Sequence, residues 1–341
     1  MPLSQIVSAS IEDGAVAPVD LSSVAQYTGL KNRIINGQMW FDQRNGGASG
    51  TATNVYTVDR WQFSGTQSSK GTWQQNAGSV TPPTGQTSYL GFTSSSAYSV
   101  LSTDTFLFQQ GIEGINCSDF GWGTANAATV TLSFWVRSSL TGTFGGALIN
   151  GSFALNYLFN YTINAANTWE QKTVTIPGPT TGTWAVNNTS GIFLRFGLGS
   201  GSTFSGTANT WQATGNLVQP TGTVSVVGTN GATWYATGVQ LEKGSTATSF
   251  DFRDYGRELY MCQRYYQIVG QVVTTTSFYS TVSYLQQMRT FPSIGPVTFD
   301  AGTGATFLNM NVSNPASQTK AYQNTNHSQI AQANIPLSAE L

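Results

Sequence analysis

Short runs of apolar residues recur along the chain, separated by clusters of glycine, serine, threonine and asparagine. Each run has the length of a β-strand and is rich in aromatic or β-branched residues. The clearest runs are Val55–Phe63, Val130–Arg137, Leu155–Ile163, Trp169–Ile176, Gly191–Leu198 and Trp234–Glu242. In the second run every other residue is apolar, as in a strand with one face on a core. Many short strands separated by turns predict a jelly-roll β-sandwich over residues 31–255.

The rest of the chain divides into two further parts. Residues 1–30 have weak periodicity and contain Gly14 and Pro18, which break any long helix, so we expect an extended N-terminal arm. Residues 256–341 predict a short helix followed by a smaller C-terminal β domain. The helix signal is Glu258–Tyr266, where apolar residues fall at i, i+3 and i+7. The predicted fold class is therefore all-β.

Composition and charge narrow the class of protein. Only 9% of the 341 residues are charged and 12% are aromatic, whereas a disordered chain is rich in charge and poor in aromatics. We expect a folded protein whose surface consists of neutral hydroxyl and amide groups. The net charge of −1 and the lack of a basic stripe argue against nucleic-acid binding. The apolar runs are too short to insert in a membrane, and the N-terminus does not resemble a secretory signal.

Five segments occur in an order that resembles a family of bacteriophage and prophage fibre proteins. They are KNRIINGQMWFDQR at 31–44, YTVDRWQF at 56–63, VTLSFWVRSSLTGTFGGAL at 130–148, NTWEQKTVTIPG at 167–178 and GVQLEKGSTATSFDFRDYGRELYMCQRYYQ at 238–267. The last is followed by MRTFPSIG, so the resemblance covers roughly residues 31–295. It implies a carbohydrate-binding-module-like, galactose-binding-like jelly roll as the central sandwich.

The resemblance also implies a function and partners. We expect a structural fibre protein of the virion, assembled in the cytoplasm of the bacterial host, that contributes to host-surface attachment as a tail fibre. The alternatives are a head fibre or decoration protein with no receptor role, and a depolymerase that degrades polysaccharide. The expected partners are two further copies in a homotrimer, other virion proteins through the N-terminal arm, and a host-surface glycan.

Three tryptophans are candidates for carbohydrate binding, because the C–H faces of sugars stack on indole rings. They are Trp122, Trp184 and Trp211, and each lies in a polar, glycine-rich stretch typical of an exposed loop. The competing interpretation is that tryptophans belong to the core or to subunit contacts, since aromatic residues dominate interface energetics.

A structural calcium ion is common in galactose-binding-like modules, near the first and last strands. The matching positions here are Gln38, Asp42, Gln240 and Glu242. Calcium prefers carboxylate oxygens, and two of these four residues are amides. We therefore favour solvation of the two acids, or their pairing with Arg44 or Lys243, over a metal site.

The chain offers little for catalysis. A glycosidase needs two carboxylates about 5–10 Å apart across a sugar site, and the available acids are scattered: Asp104, Glu113, Asp119 and Glu170. Asp59 and Arg60 are adjacent and predict a buried ion pair, whereas Glu258 is placed to interact with the dipole of the predicted helix. We expect a protein that is not an enzyme.

Histidine and cysteine are too few for a zinc site or a catalytic triad. His327 is the single histidine, and no acid lies near it in the sequence. The two cysteines, Cys117 and Cys262, are distant from it and from each other, and we expect both to be reduced thiols. No cofactor or metal is predicted.

Overall fold

The computed structural model describes residues 30–273, 279–283, 285–290, 292–295, 298–299, 309–314, 318–322 and 331–341. The predicted arm over residues 1–30 lies outside this part of the chain, except for Leu30. The strands that precede the helix are β1 (Val55–Val58), β2 (Trp61–Gly65), β3 (Gly71–Gln75), β4 (Leu90–Ser94), β5 (Thr105–Glu113), β6 (Val130–Ser138), β7 (Gly142–Asn150), β8 (Asn156–Ile163), β9 (Glu170–Ile176), β10 (Ser190–Ser200), β11 (Ser205–Gly206), β12 (Trp211–Gln212), β13 (Gln219–Pro220) and β14 (Thr233–Lys243). Short 3-10 turns lie at Ala77–Ser79, Gly114–Asn116, Ser118–Phe120 and Ser202–Phe204.

Two antiparallel sheets face each other as a sandwich. The seven-stranded sheet has the order β1-β2-β5-β10-β7-β8-β12, and the five-stranded sheet has the order β3-β4-β14-β6-β9. From β4 to β7 each successive strand crosses to the opposite sheet, which is the alternation of a jelly roll. The predicted all-β fold class is confirmed.

Aromatic side chains from both sheets fill the space between them. Ring centroids are 5.3 Å apart for Phe63 and Phe92, and 4.9 Å apart for Phe134 and Phe196, and both pairs bridge the two sheets. Trp234 is fully buried and its indole N–H donates to a tyrosine hydroxyl at 2.9 Å. Such pairs stabilise a fold by about 0.5–1.5 kcal/mol beyond the area that they bury.

One predicted strand is two strands in the structure. The run Val55–Phe63 forms β1 and β2, which pair as a hairpin. The chain reverses at Asp59 and Arg60, and Arg60 has a φ of 71°, a backbone conformation that the apolar pattern cannot reveal. The expected ion pair between these two neighbours is also wrong. Both are buried, but Arg60 pairs with Glu340 and Asp59 lies 3.7 Å from Arg44.

The predicted helix is present and begins earlier than expected. Helix α1 spans Tyr255–Gln263, and the side chain of Asp254 caps its N-terminus by accepting the backbone N–H of Arg257 at 2.9 Å. Glu258 is buried in the first turn, where it accepts from the backbone N–H of Asn36 and, at 3.0 Å, from the guanidinium of Arg253. Glu258 thus lies in the first turn, where the sequence placed it for an interaction with the helix dipole, and it also makes a buried contact with the segment that contains Asn36.

The strands that follow the helix form two further sheets. They are β15 (Tyr266–Val273), β16 (Tyr279–Ser283), β17 (Ser293–Ile294), β18 (Thr298–Phe299), β19 (Asn309–Asn314), β20 (Gln318–Tyr322) and β21 (Ala331–Ser338). Strand β21 pairs with β15 along its whole length, while β16, β20 and β19 form a separate sheet. These strands agree with the β pattern read from this part of the sequence.

The last described residues return to the sandwich. Glu340 accepts from Arg44 at 3.0 Å and also pairs with Arg60, whose side chain is 1% exposed. The hydroxyl of Tyr56 donates to the carbonyl of Leu341 at 3.0 Å. The C-terminal strands are thereby attached to the β1–β2 hairpin through buried charges.

Replacing Glu340 with an uncharged residue tests how much this contact contributes to the stability of the fold. The substitution Glu340→Gln leaves the buried Arg60 guanidinium without its anion, so we expect the free energy of unfolding to fall by about 3–5 kcal/mol. Urea unfolding followed by circular dichroism measures this change. The control Asp254→Asn keeps an equivalent helix cap and should cost less than about 1 kcal/mol. Equal stability of Glu340→Gln and the parent protein would contradict the account.

Asp59 predicts a dependence of stability on pH. Burial raises the pKa of this carboxyl to about 6, while Arg44 and Gln43 oppose the increase. The folded protein therefore binds the Asp59 proton more tightly than the unfolded chain, and this part of the stability is lost as pH rises from about 4 to above 6. The loss is about 3 kcal/mol. Urea midpoints across this pH range should fall less steeply in Asp59→Asn, and identical slopes would contradict the prediction.

Candidate functional site

The three candidate tryptophans come together at one edge of the sandwich. Trp122 follows the 3-10 turn after β5, Trp184 lies in the connection from β9 to β10, and Trp211 begins β12. Ring centroids are 4.8 Å apart for Trp122 and Trp184, 5.5 Å for Trp122 and Trp211, and 5.7 Å for Trp184 and Trp211. All three contacts are edge-to-face, a favoured geometry for aromatic pairs. We call these residues the tryptophan cluster.

Backbone carbonyls fix the orientation of each indole in the tryptophan cluster. The indole N–H of Trp122 donates to the carbonyl of Ala128 at 2.7 Å. That of Trp184 donates to Thr181 at 3.2 Å, and that of Trp211 donates to Pro177 at 2.8 Å. The N–H groups are thus occupied within the chain, and a ligand would meet ring faces and edges.

The three tryptophans differ in exposure. Trp122 is only 7% exposed, because it packs against Phe120 as well as the other two indoles. The expectation of an exposed loop side chain is therefore wrong for Trp122. Trp184 and Trp211 are half-buried, and Trp211 also contacts the ring of Tyr157 at 5.3 Å. Trp122 supports the cluster, and the other two form its accessible surface.

Two glycines allow the loops of the tryptophan cluster to approach each other. A Cβ atom at Gly123 would lie 2.6 Å from the carbonyl oxygen of Gly182 and 2.9 Å from the ring of Trp184. Gly123 and Gly182 also have positive φ angles, 84° and 90°, which residues with a side chain rarely adopt. Local sequence around each tryptophan signals a loop, but it carries no signal that the three loops meet.

The candidate catalytic acids are Asp104, Glu113, Asp119 and Glu170. Glu113 is fully buried and receives two hydrogen bonds of 2.9 Å from the guanidinium of Arg264. Asp119 receives a similar pair from Arg33, at 2.9 and 3.0 Å. Both carboxylates thus join separate segments of the chain.

The other two acids hold loops in place. Asp104 accepts from the hydroxyl of Tyr98 at 2.7 Å and from the backbone N–H of Leu101 at 2.9 Å. For Glu170, burial raises the pKa, but bonds from Lys172 and two backbone N–H groups outweigh it and lower the pKa to about 2. A carboxyl that is ionised at such low pH is a poor proton donor near neutral pH.

The two acids of the possible calcium site also have structural partners. Asp42 accepts the backbone N–H groups of Asn45 at 2.9 Å and Gly47 at 2.8 Å. Glu242 accepts from the backbone N–H of Thr248 at 2.9 Å and from Gln240 at 2.8 Å. In the described ranges no group of three His, Cys, Asp or Glu side chains is placed to hold a metal ion.

The expected ion partners of those acids were wrong. Arg44 pairs with Glu340 at 3.0 Å, and Lys243 lies 3.7 Å from Asp119. The acids instead close local loops by accepting backbone N–H groups, a role that proximity in sequence to a basic residue does not indicate.

The remaining reactive residues are inert or lie elsewhere. Cys117 and Cys262 are free and buried, as expected for reduced thiols, and burial raises the pKa of Cys117 to about 12. His327 lies outside the described residues. Across the described ranges, no helix combines the length and the apolar character that a membrane crossing requires.

Sequence reasoning missed a cleft near the tryptophan cluster. Gln212, the other residue of β12, lines a cleft on the outer face of the seven-stranded sheet. Its lining is mainly threonine, glycine, alanine and amide residues, which are common in the loops of this chain. Composition therefore gave no signal for it.

Comparison with known proteins identifies structural likenesses only. No family model and no curated protein matches the chain. Among solved structures, it is similar to the enzymatically active domain of bacteriophage CBA120 tailspike protein 4, with 12% identity and a TM-score of 0.35, over 62% of this chain and 21% of the tailspike chain. It is also similar to the module TmCBM61 in complex with β-1,4-galactotriose, with 9% identity and a TM-score of 0.31, over 63% of this chain and 99% of that one.

A third similar structure is the family 11 carbohydrate-binding module from Clostridium thermocellum in complex with a mixed-linked tetrasaccharide. Identity is 11% and the TM-score is 0.28, over 58% of this chain and 98% of the module. At such low identities and TM-scores, these likenesses carry no argument about what this chain does.

Replacing different tryptophans of the cluster with alanine should lower the stability of the fold by different amounts. Trp122→Ala removes a nearly buried indole and should lower the free energy of unfolding by about 3–5 kcal/mol. Trp184→Ala removes a half-buried ring and should cost about 1–2 kcal/mol. Urea unfolding followed by far-ultraviolet circular dichroism, which does not depend on tryptophan fluorescence, measures both. A larger loss for Trp184→Ala than for Trp122→Ala would reverse the assigned roles.

Proposed function

We propose that this chain is a non-catalytic structural protein of bacteriophage virion fibres. As a tail fibre, it contributes to host-surface attachment by contacting glycan through Trp184 and Trp211. The observation that carries this proposal is the pair of half-buried indoles, held at 5.7 Å by backbone hydrogen bonds. Rings that are fixed before binding lose little conformational entropy when a ligand arrives.

The chemistry of the cluster suits a sugar. The C–H face of a pyranose stacks on an indole face, and this contact needs no N–H group from the ring. The indole N–H groups of Trp184 and Trp211 are already occupied, which leaves ring surface as the available contact. The residues before Trp184, at 180–183, are exposed and carry hydroxyl groups or no side chain, and they offer neutral partners for sugar hydroxyls.

The contacts of the acids favour binding over hydrolysis. A depolymerase requires one carboxyl to donate a proton and a second to act as base or nucleophile. Glu113 and Asp119 are each bound by an arginine, and Glu170 has a pKa of about 2. These contacts support a role for the acids in holding the fold.

Assembly into a homotrimer is part of the proposal. Large hydrophobic side chains are exposed on α1 and after it: Tyr255 and Tyr260 of the helix are 63% and 54% exposed, and Leu285 is 61% exposed. Contact between copies would remove this apolar surface from water. Other virion proteins would bind the N-terminal arm.

A glycan array tests the proposed function. We expect the full chain to bind host-surface glycans, and the double substitution Trp184→Ala with Trp211→Ala to abolish that binding. Trp135→Ala is the matched control, because Trp135 is half-buried on the outer face of the five-stranded sheet and outside the tryptophan cluster. Circular dichroism establishes that each variant is folded. Binding that survives the double substitution, or that Trp135→Ala abolishes, would contradict the proposal, as would release of reducing sugar from the glycan.

A further inference from the structure

A cleft of about 570 Å³ opens on the outer face of the seven-stranded sheet, beside β12. This volume is within the range of ligand sites in proteins, roughly 300–1,000 Å³. Asn160 on β8 and Thr143 on β7 lie at its base, and the segments around Thr207 and Thr221 form its two sides. All ten lining residues are uncharged, and none is aromatic.

The sides of the cleft are held in place by the backbone. Strands β11 and β13 pair in parallel, and the backbone N–H of Thr221 donates to the carbonyl of Gly206 at 2.9 Å. The side chain of Gln212 donates to the carbonyl of Thr207 at 2.6 Å and accepts its N–H at 3.1 Å. The cleft is therefore formed before any ligand binds.

Four polar side chains are left to face a ligand. The carboxamide of Asn160 and the hydroxyls of Thr143, Thr207 and Thr221 have no hydrogen-bond partner among the described residues. The ring of Pro220 adds an apolar surface to the same cleft. A carboxamide both donates and accepts, and so does each hydroxyl, which is the hydrogen-bonding capacity of sugar hydroxyl groups.

We propose that this cleft binds one unit of a neutral saccharide, as a second contact site next to the tryptophan cluster. The inference rests on the proposed function only for the class of ligand, a glycan. Without a cation in its lining, the cleft offers no ion pair to a uronic acid, and a carboxylate would lose hydration without compensation. Trp211 and Gln212 are successive residues of β12, so their side chains point to opposite faces of the strand and serve the two sites separately.

Ligand-observed NMR with the full chain tests the cleft, with glucose, galactose, N-acetylglucosamine and glucuronic acid as probes at millimolar concentration. We expect saturation transfer to at least one of the neutral sugars, and weaker transfer to glucuronic acid. Asn160→Ala should weaken binding of that neutral sugar by about five- to tenfold, as expected for the loss of a neutral hydrogen bond. Asn230→Ala, at an exposed asparagine outside the cleft, is the matched control and should not change binding.

The same measurement on the tryptophan double variant separates this inference from the proposed function. Retained binding of the neutral sugar in that variant, together with its weakening in Asn160→Ala, supports the cleft whatever the glycan array shows. Equal binding by Asn160→Ala and the parent protein would overturn the cleft assignment and leave the tryptophan cluster untouched. Failure of all three neutral sugars to bind, or a preference for glucuronic acid, would also overturn it.

Discussion

Burial of aromatic rings between two sheets is the interaction on which the rest of the molecule depends. Phe63, Phe92, Phe108, Phe134 and Trp234 are at most 2% exposed, and their rings contact partners across the sandwich. The side chains of this core are apolar and aromatic. The loops between the strands are rich in threonine, serine, glycine and amide residues, which stay hydrated through neutral hydrogen bonds.

Several of the few charged residues in the described part of the chain join separate segments. Arg253 and Glu258 pair with each other and also bind Ile34 and Asn36, and this holds α1 against that segment. Arg264 with Glu113 attaches the residue after the helix to the end of β5. Arg60 with Glu340 joins the turn between β1 and β2 to the residues that follow β21. A buried ion pair contributes little net stability compared with an apolar pair, but losing one partner is costly. Such pairs restrict how the segments after the sandwich can be placed.

Sequence patterns predicted the features that depend on residues close together in the chain. The alternation of apolar residues in Val130–Arg137 predicted β6. In the structure all four alternate apolar residues are fully buried, as the pattern required. The hairpin at Arg60 was missed because the positive φ angle that turns the chain there does not change the pattern of apolar residues. Glu258 lies in the first turn of the helix as expected, but its contact with Asn36 was missed because Asn36 is distant in the sequence.

The candidate sites depend even more on contacts between residues that are distant in the sequence. The sequence selected Trp122, Trp184 and Trp211 by their glycine-rich surroundings, but it could not show that they meet or that Trp122 is buried. Their convergence depends on loops that are close only after the two sheets have paired. The cleft at Asn160 was invisible for the same reason, because its sides come from two segments joined by the β11–β13 pair.

Function as a virion fibre is the central proposal, and locating the chain in the intact particle tests it most directly. Cryo-electron microscopy of the phage should show density for this sandwich in a fibre of the tail, in three copies, with Trp184 and Trp211 facing solvent. Absence of the chain from the particle would contradict the account, as would a position in which both tryptophans are covered by another virion protein.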